Sequence, residues 1–416
     1  MIKTKSNVIS KFVVWEAYKR VRANKGSAGV DNESLSAFED NLKDNLYRLW
    51  NRMSSGSYFP PPVKLVEIDK KDGGKRSLGI PTVTDRIAQM VVKMILEPKI
   101  EPSFHPDSYG YRPGKSALDA VGLARKRCWR YNWVIDLDIK GFFDNLNHDL
   151  LKLALQKHTQ EKWVLLYINR WLKAPVQLPD GSLAKREKGT PQGGVISPLL
   201  ANLYLHYAMD EWLRIHFPQN PFERYADDSV VHCRTEEEAN TILKSLQKRL
   251  QHCGLELHPV KTKIVYCKDD DRRGNYPTTK FDFLGYTFCR RRSKNRFGKY
   301  FVNFSPAVSN SAKKSIRQEM RRWKVHLRSD KSLEDFSHMF NPTLRGWFNY
   351  YGRYYKSELY SVFRHFNRTL SRWAMRKYKK LKGHNRRAEY RMGKIANDYP
   401  RLFYHWQIGL KPATGQ

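Results

Sequence analysis

The sequence predicts an α+β fold followed by an all-α, strongly basic C-terminal third. Three observations predict it. Short strand patterns alternate with helical ones from about residue 85 to 290, strand signals fade after Tyr300-Phe301-Val302, and helical periodicity with dense Arg and Lys follows. With 416 residues the chain can bury a sizeable core and divide into two or three domains.

Taken in order, residues 1–60 read as helical, with Phe12, Trp15, Tyr18 and Val21 at helical spacing. The loop Asn24 to Asp31 interrupts this region, and its glycines permit tight turns. Pro60-Pro61-Pro62 ends the helical segment and starts an extended one. Val63 to Asp69 and Lys75 to Ile80, around the turn Lys71-Asp72-Gly73-Gly74, read as a β-hairpin. Asn132 to Ile139 then alternates, with Val134, Asp136 and Asp138 on one face and Ile135, Leu137 and Ile139 on the other. In Arg224-Tyr225-Ala226-Asp227-Asp228 two adjacent acids sit between a Tyr and a Val-rich strand, as at a hairpin turn. Ser305-Pro306 offers an N-cap with proline at the first helical position. Beyond it Ile316, Met320, Trp323 and Leu327 make an apolar seam, with Lys313, Arg317 and Arg321 on another face. Further on, Phe363, Phe366, Leu370 and Trp373 run beside Arg364, Arg368, Arg372 and Arg376. Like charges at i, i+4 oppose a helix, so arginines stacked in this way point to a phosphate backbone as their partner.

The whole chain repeats that signal. Its 76 Lys and Arg against 41 Asp and Glu give a formal charge of +35, whose self-repulsion a polyanion relieves. Five scattered cysteines without a CxxC pair argue against a disulfide framework and a zinc module, and fit reduced thiols in the cytoplasm. No apolar run is long enough to span a membrane, and the start lacks a signal-peptide apolar region, so no membrane partner is expected.

Taken alone, each acidic segment is the common case of an exposed strand-edge or turn aspartate. Chemistry gives a reason to join them. Phosphoryl transfer uses two divalent ions about 4 Å apart, one activating the attacking hydroxyl and one stabilising the leaving oxygen. Mg²⁺ prefers hard oxygen ligands and keeps waters, so a few carboxylates with substrate phosphates suffice.

With these residues in place, the chain resembles the reverse transcriptases encoded by bacterial group II introns, also called intron maturases. The blocks occur in the family's order over nearly the whole length. Asn24 to Asp31 is similar to the N-terminal extension motif, and Lys75-Arg76-Ser77-Leu78-Gly79-Ile80-Pro81 to the fingers motif. Ser108-Tyr109-Gly110-Tyr111-Arg112-Pro113-Gly114, Asp138-Ile139-Lys140-Gly141-Phe142-Phe143-Asp144 and Gly189-Thr190-Pro191-Gln192-Gly193-Gly194 follow. Tyr225-Ala226-Asp227-Asp228, Lys261-Thr262-Lys263 and Phe283-Leu284-Gly285-Tyr286 complete the series. Asn341 to Tyr351 resembles the thumb or maturase domain. One departure stands out: Asp69-Lys70 replaces the family's common Pro-Lys.

The resemblance implies a right-hand polymerase of fingers and palm, then a helical thumb/maturase domain, copying RNA into DNA. The expected divisions are a helical extension over 1–60, fingers and palm over 61–290, thumb/maturase over 291–385, and a short tail over 386–416. It implies Asp138, Asp227 and Asp228 as catalytic acids and metal ligands, with the backbone carbonyl of Ile139, holding two Mg²⁺ for which Mn²⁺ can substitute. Lys70 and Arg76 would grip the incoming dNTP triphosphate. Phe143 would press on the sugar where a 2′-hydroxyl would project, the Gln192 turn would let backbone approach the substrate, and Lys261 would donate a proton to pyrophosphate. The implied partners are an RNA template, a DNA primer and the intron RNA, recognised mostly by shape and backbone. Lys313, Arg317, Arg321, Arg364, Arg368, Arg372 and Arg376 are the candidate phosphate contacts. A tail this short is expected to hold no zinc-supported endonuclease, so mobility would use a nascent strand at a replication fork as primer. Two other readings use the same residues: a maturase that binds RNA without polymerising, and a domesticated relative in phage defence or DNA repair.

Overall fold

The computed structural model describes residues 9–69 and 74–413. The chain forms two compact units, Met1–Ala120 with Ile135–Ile264, and Val121–Val134 with Val265–Gln416.

In the first unit, α1 (Lys11–Ala23) starts at Ser10, whose side chain accepts from the Val13 N–H. It buries Val14, Ala17, Tyr18 and Val21, while Phe12 and Trp15 of the expected seam are 69% and 42% exposed. The i, i+3, i+4, i+7 face begins at Val14 and not at Phe12, a phase that spacing alone leaves open. The short α2 (Leu35–Asp40) and α3 (Leu42–Ser54) follow. The hairpin is β1 (Val63–Asp69) and β2 (Lys75–Ile80), antiparallel with Ile68 opposite Arg76. The expected turn at 71–73 lies outside the described residues. Thr82 caps α4 (Val83–Ile100), which is buried along most of its length.

After α5 (Ala117–Cys128) the chain enters β3 (Trp133–Asp138), where Ile135 and Leu137 are buried and Asp136 and Asp138 half-buried, as the alternation predicts. Then come α6 (His148–Gln156), α7 (Lys162–Lys173) and the two-residue strands β4 (Val176–Gln177) and β5 (Leu183–Ala184). The helix α8 (Ser197–Leu205) runs through a π-helical turn, His206–Asp210, into α9 (Glu211–His216). The hairpin β6 (Phe222–Tyr225) and β7 (Asp228–Cys233) leads to α10 (Glu236–His252) and β8 (Lys263–Tyr266). Strand orders are β2-β1-β4-β5 for the hairpin sheet and β6-β7-β3-β8 for the acid-bearing one.

The second unit begins with a sheet ordered β11-β10-β9, from β9 (Lys280–Phe283), β10 (Tyr286–Lys294) and β11 (Tyr300–Val308). Here an expectation needs correcting. Ser305 and Pro306 lie inside β11, paired with Cys289 and Phe288, and the helix starts at Ser309, whose hydroxyl accepts from the Ala312 N–H. Proline is tolerated there because β11 is an edge strand. Helical structure therefore begins at α11 (Asn310–Arg322), a few residues past the start expected at Ser305-Pro306. It continues through α12 (Leu333–Tyr351), α13 (Tyr360–Lys377), α14 (Asn385–Asp398) and α15 (Tyr404–Gln407). Leu327 leaves the predicted seam and is 46% exposed, because α11 stops at Arg322 and Lys324 turns left-handed at φ 49°. Past residue 385, Ala388, Met392, Ala396, Phe403 and Trp406 are buried in the same core as Phe336, Phe366 and Trp373. Among the described residues, no helix is long and apolar enough to cross a membrane.

Candidate functional site

β3 carries Asp138 to its end, where the side chain is 39% exposed. The strand is held there by backbone bonds. His258 N–H donates to the Asp138 carbonyl at 2.7 Å, Lys140 N–H donates to the Glu256 carbonyl at 2.8 Å, and Ile139 pairs with Leu257. Carbonyls alternate sides along an extended chain, so that of Ile139 turns away from Glu256–His258, toward the side of β3 that β7 occupies. Lys261 Nζ lies 3.3 Å from Asp138 Oδ2, with both side chains well exposed.

The second acidic segment forms the predicted turn. Tyr225 pairs with Asp228 across the β6–β7 hairpin, leaving Ala226 and Asp227 as its two-residue loop, with Ala226 at φ 58°. Asp227 and Asp228 are half-buried. Since β7 adjoins β3, the sheet places the Asp138 strand and the Asp227–Asp228 turn on neighbouring strands. Among the described residues, no three His, Cys, Asp or Glu side chains are grouped closely enough to cage a metal ion. Like charges repel without a counter-ion, and Lys261 takes that place beside Asp138. The donor chemistry fits a hard divalent cation, because half-exposed carboxylates are hard oxygen donors of the kind such ions take.

Other predicted residues assemble within the same unit. Phe143, 8% exposed, meets the Phe142 ring edge-on, and its carbonyl accepts from the Thr190 N–H at 2.7 Å. The Gly79 N–H donates to the Gln192 carbonyl at 2.7 Å. A Cβ on Gly193, at φ 117°, would stand 2.5 Å from the Gly79 carbonyl oxygen, so only glycine lets this turn close onto β2. Arg76 is thereby placed, by its backbone, on the strand sealed to the Gln192 turn. Lys70 lies outside the described residues.

In the second unit α13 buries Phe363, Phe366, Leu370 and Trp373 and exposes Arg364, Arg368, Arg372 and Arg376 along its other side, as predicted. On α11 the candidates divide. Lys313 is tied to Glu358 at 2.9 Å and Arg317 donates to the Ser361 hydroxyl at 3.0 Å, while Arg321 is exposed. Burial pushes the His365 imidazole below its usual range, and Arg368, Arg321, Arg317 and Arg372 push it further in that order. The positive charge of both helices is thus felt at one ring. Beside them a cavity of about 560 Å³ is lined by Arg317, Arg364, Arg368, Glu389 and Lys411.

Residues 68–288, just over half the chain, match the family model for reverse transcriptase (RNA-dependent DNA polymerase). The chain belongs to the reverse transcriptase family. Residues 313–391 of this reverse transcriptase match the group II intron maturase-specific domain. It is similar to the group II intron-encoded protein LtrA of Lactococcus lactis, 35% identical over 272 residues, 64% of this chain and 43% of that protein. It is also similar to the protein YkfC of Escherichia coli, 31% identical over 318 residues, 67% of this chain and 81% of that one. A 91 kDa protein in the cob intron of Schizosaccharomyces pombe is 32% identical over 286 residues, 64% and 34% of the two chains. The match to LtrA thus spans less than half of that relative's length. Asp138, Phe143, Gln192, Asp227, Asp228 and Lys261 fall within the reverse transcriptase span, and the seven basic candidates from Lys313 to Arg376 within the maturase span.

Sequence reasoning passed over Arg224, whose side chain is fully buried beside the acidic turn of this reverse transcriptase. Its only trace in the sequence is an arginine three residues before Asp227, whose buried partners the sequence does not show.

Proposed function

We propose that this chain copies RNA into DNA by nucleotidyl transfer and binds a structured RNA, that of a group II intron, through its second unit. The observation that carries the reading is the placement of Asp138 and the Asp227–Asp228 turn on adjacent strands of a reverse transcriptase sheet. Asp138, Asp227, Asp228 and the Ile139 carbonyl would hold two Mg²⁺, or Mn²⁺ in their place. When bound, such ions activate the primer 3′-hydroxyl and stabilise the departing oxygen.

The chain's own groups do the rest. Asp138 would hold the cation, and Lys261, whose ammonium lies 3.3 Å from the Asp138 carboxylate, stands at the same end of β3 to meet pyrophosphate and give it a proton. Lys70 and Arg76 hold the dNTP triphosphate through charge-assisted bonds. Phe143, fixed by its backbone bond to Thr190, blocks the space of a ribose 2′-hydroxyl. The Pro191-Gln192-Gly193-Gly194 turn, sealed to β2, keeps the dNTP floor and the triphosphate-gripping hairpin in one piece. The exposed arginines of α13, with those of α11, meet RNA phosphates.

Primer extension on an RNA template with dNTPs and Mg²⁺ tests this reading. The wild-type chain extends the primer, and Asp227→Asn reduces extension by about a hundredfold or more, the scale on which single groups that stabilise transition-state charge act. Normal extension by Asp227→Asn would remove the metal assignment.

A further inference from the structure

Ala226 is the weak point of the acidic turn. Its φ of 58° is left-handed, a conformation that an L-residue with a Cβ resists and that persists only where its surroundings impose it. Those surroundings are specific. The fully buried Arg224 donates from Nε and Nη2 to the two carboxylate oxygens of Asp210, at 2.7 and 2.6 Å. Its Nη1 donates both to Asn202 Oδ1 and to the Ala226 carbonyl, each at 3.0 Å. Asn202 in turn donates to the Gly110 carbonyl at 2.6 Å. Gly110 closes the turn from the other side: a Cβ there would lie 2.4 Å from the Ala226 nitrogen. Asp210 ends the π-helical turn His206–Asp210, and such one-residue insertions redirect a side chain and recur at functional sites.

We infer that Arg224, anchored by Asp210 and Asn202, is a positioning clamp that holds Ala226 left-handed and so sets where Asp227 and Asp228 point. The inference rests on the reading of those aspartates as metal ligands. A buried Arg–Asp pair by itself is poor evidence of anything beyond structure. Here, however, the guanidinium does more than neutralise Asp210. It spends a donor on the carbonyl of the one strained residue in the turn, and its second partner, Asn202, fixes the glycine that packs on the same peptide. Three separate segments, Ser108–Gly110, α8 and β6, thus converge on the geometry of a single dipeptide.

Asn202→Ala tests the clamp without stranding the buried charge, because Asp210 stays paired; Asn202→Ser, which keeps a hydroxyl, serves if the alanine variant does not fold. Melting temperature and affinity for an RNA–DNA template–primer report the scaffold. Turnover, the Mg²⁺ concentration giving half-maximal extension, and Mn²⁺ binding followed by electron paramagnetic resonance report the turn. We expect scaffold readouts close to wild type and a loss of about tenfold in turnover or metal affinity, the usual effect of removing a group that orients a ligand. Adding Ala226→Gly, which removes the penalty on left-handed backbone, recovers part of that loss. Wild-type turnover and metal affinity in Asn202→Ala would overturn the clamp. So would a loss that follows melting temperature and is indifferent to Ala226→Gly. If the wild-type chain does not extend primers, the polymerase reading fails separately, and the Mn²⁺ titration still reads the turn.

Discussion

Single side chains carry the most pointed expectations. Phe143 is buried in the short turn five residues past Asp138, so under the proposed function its truncation would enlarge the space beside the nucleotide sugar. Phe143→Ala should lower discrimination against NTPs by about 10- to 100-fold, read as the ratio of kcat/KM for dNTP and NTP. His405 makes a different kind of prediction. It is fully buried, and burial pushes its imidazole down to about 3; its Nε2–H bonds Asn367 Oδ1, which also accepts from Trp406 Nε1 at 2.9 Å. The folded pKa lies below the unfolded one, so unfolded chains take up protons first and stability falls as pH drops from about 6.5 toward 3. Going from pH 7 to pH 5 should cost the second unit about 2 kcal/mol through this group. His405→Gln should flatten that slope in urea melts; an unchanged slope would place the pH dependence elsewhere. At this scale the sequence was informative where chemistry is local. The strand ending at Asp138 and the turn at Asp227–Asp228 were legible from alternation and adjacency, while their proposed role came from the resemblance; the partners of Arg224 were not legible, because Asp210 and Asn202 meet it only through the fold. Nor could sequence have shown that Lys261 already contacts Asp138.

Among elements, α11 and α13 show both the strength and the limit of periodicity. The seam and basic stripe of α13 came out as spaced, because one uninterrupted helix keeps its phase. On α11 the phase held through Met320 and failed at Leu327, since a left-handed Lys324 intervenes and no sequence period reports it. The same reason explains the Ser305-Pro306 cap that became Ser309: proline in an edge strand and proline at a helix start look alike until pairing is known. The division of the basic residues between exposed and already paired makes a graded prediction. Arg368→Ala and Arg372→Ala should each reduce the slope of log affinity for RNA against log salt by about one, and Lys313→Ala by less, since Glu358 already neutralises it. Equal effects at all three positions would contradict this division.

For the molecule as a whole, a charge of +35 makes affinity for any polyanion strongly ionic, so RNA binding should weaken by orders of magnitude between low and physiological salt. Fold class was readable at this level because composition, strand spacing and motif order all agreed. The partition into units was less so, because Val121–Val134 joins residues from 265 onward and no linker-like composition marks either crossing. A fragment ending at residue 264 should consequently leave Val121, Ala124 and Cys128, all fully buried in the intact chain, open to solvent, and should precipitate more readily than the full chain. The closing of the second core by Phe403 and Trp406 has a further consequence for how the protein is made. A ribosome must translate and release those two aromatic residues before the basic helices can settle around them. Until then the nascent chain offers unassembled arginines beside the very message being read, so a premature stop shortly before residue 403 should yield a sticky, RNA-coated product in place of a shorter working one.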